Sequence, residues 1–189
     1  VARVLVLASG SGTLLQALLD SRIGEHIVAV GTDVPDCQAL DRAQAKQIPT
    51  FAVVLGSDRD AWNRELLAMI EGYQPDLIVC AGFMRVLGSE VVDAYAGRII
   101  NSHPALLPAF PGAHAVRDAL AYGVTWTGCT VHVVDHGVDS GPILAQQPVE
   151  VREGDDEGSL HERIKEVERV LLVEVVASLV AEPAGVRHG

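Results

Sequence analysis

The apolar positions along this chain change period repeatedly, and each change marks an element. Arg3-Val4-Leu5-Val6-Leu7-Ala8 is a short β-branched run that ends at Ser9-Gly10-Ser11-Gly12. Thr13 to Leu19 then sets Leu14, Leu15, Leu18 and Leu19 on one helical stripe. His26 to Gly31 predicts a second strand, Cys37 to Lys46 a second helix, and Thr50 to Leu55 a third strand. Asp58 stands where an N-cap belongs, ahead of Trp62, Leu66, Leu67 and Ile70, so a helix runs from it to about Gly72. Leu77 to Ala81 is fully apolar and of buried-strand length. A short helix over Ser89 to Ala96 and a strand over Arg98 to Asn101 follow.

Strands that alternate with short helices pair in parallel through crossovers. The later part differs. Cys129 to Val134 alternates with period two, Ile143 to Val151 reads as another strand, and only the loop His136 to Pro142 joins them. That loop is too short for a crossover helix, which predicts an antiparallel pair and hence a mixed α/β sheet. Asp155 to Ala181 is a long closing helix whose stripe is Leu160, Ile164, Val167, Leu171, Val175 and Leu179. Residues 182–189 read as a frayed tail.

The length of 189 residues, without repeats or a linker, predicts one domain over residues 1–189. Lys and Arg total 14 against 25 Asp and Glu, a net charge of −11, which disfavours nucleic acid as a partner. No apolar run approaches the roughly 18 residues that span a bilayer, so no membrane role is expected. Val1 to Leu7 does not read as a leader. Cys37, Cys80 and Cys129 form neither a disulfide framework nor a CxxC pair, and they fit a reducing cytoplasm.

Three stretches could carry chemistry. Ser9-Gly10-Ser11-Gly12-Thr13 joins a strand to a helix, where glycines and free N–H groups suit a single phosphate; a tight turn without a ligand reads equally from these residues. A dinucleotide fingerprint fails at Leu15, and a P-loop fails because no Lys follows the second glycine. Asn101 and His103, two apart at a strand end, point to one side and could converge on one atom, or serve as a cap and a surface His. Asp139, among Gly137, Gly141 and Pro142, reads as an Asx turn or as a partner for a His. His132 and His136 stand on a strand and its exit, which argues against a metal pair, and no metal is expected. Gly82-Phe83-Met84-Arg85-Val86-Leu87 reads as a ligand wall or as ordinary core, Lys165 and Glu168 as a surface ion pair, and Arg59 and Arg64 as solvated.

Asn101-x-His103-Pro104, the Leu-Leu-Pro-x-Phe-Pro-Gly run to Gly112, Val138-Asp139-Ser140-Gly141-Pro142, Ser9-Gly10-x-Gly12 and Ala81-Gly82-Phe83-Met84-Arg85 lie in register. Together they resemble the glycinamide ribonucleotide formyltransferases of purine synthesis, over about residues 3 to 180. The resemblance implies a Rossmann-like formyltransferase fold, with a mostly parallel sheet, an antiparallel pair in the C-terminal part and helices on both faces. It implies transfer of a formyl group from 10-formyltetrahydrofolate to the amine of glycinamide ribonucleotide, by a monomer or homodimer.

Matched residue by residue, the resemblance makes Asn101, His103 and Asp139 the catalytic trio. It gives Gly12, Thr13 and Leu14 to the substrate phosphate, and Lys165 and Glu168 to the phosphate and ribose. Met84, Arg85, Val86 and Leu87, with Asn101 and the turn around His136 to Asp139, form the folate pocket. Arg59 falls near the folate's glutamate tail and His114 in a mobile loop. Leu14 replaces an expected polar residue, so a phosphate contact there comes from its backbone N–H. A formyltetrahydrofolate hydrolase using the same trio is the alternative. A formyltransferase acting on tRNA is disfavoured by the acidic charge.

Overall fold

The computed structural model describes residues 1–181, so the tail expected over 182–189 lies outside the described residues. In chain order the elements are β1 (Val4–Leu7), α1 (Thr13–Leu19), β2 (Ile27–Thr32), α2 (Gln38–Ala45), β3 (Thr50–Ala52), α3 (Arg59–Tyr73) and β4 (Leu77–Cys80). Then come α4 (Ser89–Ala94), β5 (Ile99–His103), α5 (Ala115–Tyr122), β6 (Trp126–Val133), β7 (Ile143–Glu150) and α6 (Glu157–Ala181).

The strands form one seven-stranded sheet in the order β3-β2-β1-β4-β5-β6-β7. Pairs from β3 to β5 are parallel, and β6 is antiparallel to both β5 and β7. Alternation along β1 explains the two cores. Val4 and Val6 pack on one face with residues of α1, α2, α5 and α6, while Leu5 and Leu7 pack on the other with residues of α3 and α4. After β1 the chain builds outward to β2 and β3, then returns to β4 on β1's other side. Such a reversal opens a crevice beyond the carboxyl ends of the strands, here between β1 and β4. The segments Ser9–Gly12 and Gly82–Leu87 leave from those two ends.

Asp58 caps α3 as its position predicts, accepting the Ala61 N–H at 2.9 Å. Other boundaries differ. β3 stops at Ala52 rather than Leu55, and β5 continues through His103 because residues Ile100 to His103 find partners on β6. The apolar pattern misses α5, whose buried side are only Ala115, Val116 and Ala119, and the 3-10 turn Arg22–His26. On α6 the deepest line is Leu160, Ile164, Glu168, Leu172 and Val176. Val167, Val175 and Leu179 of the expected stripe are half-buried. A carboxylate interrupts the deepest line, so apolarity alone points to a neighbouring one. Among the described residues no helix is long and apolar enough to cross a membrane.

Candidate active site

Alternation in β5 turns Asn101 and His103 to one face and Ser102 to the other. Antiparallel register sets Asn101 opposite His132 and His103 opposite Thr130 on β6. The third stretch is the turn between β6 and β7. There the Asx-turn role falls to Asp135, whose Oδ1 accepts the Gly137 N–H at 3.0 Å and the Ser140 hydroxyl at 2.8 Å. Asp139 is left free of that role. It adopts φ of +52°, a left-handed conformation Asp tolerates, and turns its carboxylate back to the sheet. A Cβ at Gly141 would run into the Val133 carbonyl oxygen, so the turn lies against β6.

Asp139 Oδ2 lies 3.4 Å from His103 Nδ1 and accepts the Gly112 N–H at 2.8 Å. Its Oδ1 lies 3.6 Å from His132 Nε2. His103 Nε2 meets the Phe110 carbonyl oxygen at 2.8 Å, and His132 Nδ1 donates to the Val133 carbonyl at 3.0 Å. Asn101 Nδ2 is 3.5 Å from His132 Nε2. Both His side chains are buried, whereas that of Asp139 is 13% exposed. The His132 imidazole does most to hold the Asp139 carboxyl below the usual carboxylate range, with the Gly112 N–H and a charged His103 adding to it; partial burial opposes them.

The trio lines a cleft of about 520 Å³. Gly12 forms part of its wall with φ of +73°, and a Cβ there would sit 2.7 Å from Ala39 Cα. Arg42 of α2 holds the same loop, its Nε donating to the Ser11 carbonyl at 2.7 Å. Thr13 and Leu14 open α1, and N–H groups in a first helical turn have no intrahelical acceptor. From α6, His161, Lys165 and Glu168 reach the same cleft. The expected Lys165–Glu168 surface pair is not formed. Lys165 Nζ meets Glu162 at 3.1 Å, while Glu168 is buried and accepts the Ser102 hydroxyl at 2.8 Å. Burial pushes the Glu168 carboxyl up to about 7, the bonds and charges around it pulling the other way.

Met84, Arg85, Val86 and Leu87 line the opposite wall. Leu87 is buried, but Met84 and Val86 are 73% and 58% exposed, which is a cleft wall rather than ordinary core. Arg59 does not line the cleft. Nor is it simply solvated, because its Nη2 donates to the Val86 carbonyl at 2.5 Å and its guanidinium stacks 4.9 Å from the Trp62 ring centre. His114 stands at the start of α5 outside the cleft.

Nothing local in the sequence singles out His132 beyond its spacing from His136. The structure separates that pair, as His136 meets Asp93 at 3.0 Å. The β5–β6 register is the signal that finds His132, and it needs the sheet order. Ser102 and Asp33 also carry no local signal, since their bonding partners Glu168 and Arg85 are distant in sequence.

The formyl transferase family model matches residues 2–176. The chain is 55% identical over 183 residues to a phosphoribosylglycinamide formyltransferase of Mycobacterium tuberculosis, covering 94% of this chain and 85% of the relative. A crystal structure of phosphoribosylglycinamide formyltransferase from Bacillus halodurans superposes with a TM-score of 0.90 at 36% identity, covering 95% of this chain and 96% of that one. Glycinamide ribonucleotide transformylase 1 from Symbiobacterium toebii superposes with a TM-score of 0.89 at 40% identity, covering 93% and 85%.

Proposed function

Since this chain belongs to the formyl transferase family, among the phosphoribosylglycinamide formyltransferases, we propose that it moves a formyl group from 10-formyltetrahydrofolate to the amine of glycinamide ribonucleotide, using Asn101, His103 and Asp139. Residues 1–189 act as one formyltransferase domain. The relatives' names put formyl transfer within purine biosynthesis.

The observation that carries this reading is the convergence of Asn101, His103 and Asp139 on one cleft that also holds the Gly12 loop. The ribonucleotide amine attacks the formyl carbon, and the carbonyl electrons move onto oxygen. Preorganised donors aimed at that oxygen supply the largest catalytic contribution. Asn101 has the freer donor, since among the described residues its side chain makes one hydrogen bond, the long one to His132. For His103 to donate there, its Nε2–H exchanges the Phe110 carbonyl for the substrate oxygen. Asp139, its carboxyl held low, takes the proton from the attacking nitrogen, and that same proton passes by way of His103 to the folate nitrogen as its bond to the formyl carbon breaks. The amine is itself the nucleophile, so no enzyme side chain becomes acylated. Binding both substrates in one cleft makes the step effectively unimolecular.

The N–H groups of Gly12, Thr13 and Leu14, with the Lys165 ammonium, hold the phosphate. Glu168 accepts from the ribose hydroxyls. Met84, Arg85, Val86, Leu87 and Asn101 receive the folate, with Arg59 supporting that wall. Formyl release from 10-formyltetrahydrofolate, measured with and without glycinamide ribonucleotide, tests the reading. Release only with the amine supports transfer; equal release without it supports the hydrolase alternative, which the relatives' names do not favour.

A further inference from the structure

Three loops leave the carboxyl ends of β1, β2 and β4 side by side, and the buried carboxylate of Asp33 ties them together. Asp33 follows β2, its side chain is 1% exposed, and it lies outside the cleft. Its Oδ1 accepts the Ser9 hydroxyl at 2.5 Å, and its Oδ2 accepts Arg85 Nε at 2.7 Å. Ser9 Oγ accepts the Met84 N–H at 2.8 Å, and the Ser9 N–H donates to the Gly82 carbonyl at 3.0 Å. One carboxylate thus fixes both the main chain at Met84 and the side chain of Arg85.

Satisfaction of a buried charge explains why Asp33 has these donors. It does not explain the state of Arg85. That side chain is 40% exposed and lines the cleft, and among the described residues only its Nε bonds to protein. With Nε committed, the guanidinium keeps its end-on pair of nitrogens, an arrangement that suits a carboxylate. A chain with a net charge of −11 repels an anionic ligand at long range, so local cations on this wall decide whether such a ligand is held.

We propose that Asp33 is a positioning residue that, without touching substrate, aims the Arg85 guanidinium into the cleft to receive the carboxylate of the folate's glutamate tail. The inference rests on the folate reading above. Calorimetric titration of the full chain with 10-formyltetrahydrofolate, and with its pteroate counterpart lacking the glutamate, tests it. Asp33→Ala is expected to weaken the tail-bearing ligand about tenfold or more and the tailless one by less than about twofold, the scale of losing a charged hydrogen bond. Asp33→Asn, which can still accept from Arg85 and donate to Ser9, falls between. In an Arg85→Gln background, Asp33→Asn adds no further loss specific to the tail.

Equal losses for both ligands, or additive losses in the double variant, overturn the proposal. Should Asp33→Ala fail to fold, the Asn arm decides alone: a loss confined to the tail supports positioning, and no such difference refutes it. Wild-type protein that binds neither ligand overturns the folate reading and this inference with it. Wild-type binding without discrimination by the variants overturns this inference alone.

Discussion

The imidazole of His103 faces the carboxylate of Asp139, with Nδ1 3.4 Å from Oδ2, while its other nitrogen meets the Phe110 carbonyl oxygen at 2.8 Å. Both neighbours are acceptors, the Phe110 carbonyl within hydrogen-bond distance and the Asp139 carboxylate in ion-pair range. Among the described residues the Asn101 side chain meets only His132, at 3.5 Å, so under the proposed mechanism it is the donor most ready for the oxyanion.

Asn101→Asp keeps the size of the side chain but exchanges two N–H donors for a second carboxylate near Asp139. The variant is expected to lower kcat by about 10²- to 10³-fold, the range for losing an oxyanion donor, with little change in KM for the ribonucleotide. Steady-state kinetics checks it. A change in KM alone would assign Asn101 to binding instead.

At Gly12 the backbone has a positive φ, and an added Cβ would press on Ala39. Gly12→Ala should therefore displace the loop and raise KM for glycinamide ribonucleotide by about tenfold, leaving KM for the folate within about twofold. A more severe Gly12→Val follows the same order. Equal rises in both constants argue against a phosphate cradle.

Glu168 titrates at about 7 in the folded chain, against an ordinary value of 4.5. A carboxyl raised in the folded state favours folding fully below about pH 4.5, and this contribution is lost as pH rises through about 7. Glu168→Gln removes that loss. Its Tm should exceed that of wild type at pH 8 and lie nearest to it below pH 5, each kcal/mol recovered being worth roughly 2–4 °C in a chain of this size. Thermal unfolding at the two pH values tests this, and parallel Tm curves would contradict it.

His132 does most to hold the Asp139 carboxyl below its ordinary range. His132→Leu should let the Asp139 carboxyl rise towards its ordinary range, so the acid limb of kcat/KM moves to higher pH. A pH profile of the variant reads this directly; an unmoved limb would mean that Asp139 does not depend on His132.

The legible parts of the fold were those whose physics is local. Apolar runs located the strands, Asp58 marked its helix start, and the short loop after Val134 foretold the antiparallel pair. Asn101 and His103 stood out because alternation alone turns them the same way. Asp139 was ambiguous until the structure gave the Asx turn to Asp135. What escaped depends on packing between distant stretches. The bond between Ser102 and Glu168 spans 66 positions, and that between Asp33 and Arg85 spans 52. The helix α5 escaped for a different reason, since its small buried residues leave a weak apolar signature.

In the proposed mechanism His103 and Asp139 act together on the formyl group in this cleft. Formyl transfer from 10-formyltetrahydrofolate to glycinamide ribonucleotide, followed at saturating substrates for Asp139→Asn and His103→Ala beside wild type, decides the matter. Folded variants should each lose roughly 100-fold or more in kcat, the scale of an acid–base or oxyanion group. Turnover near the wild-type rate in both variants would rule out that joint role.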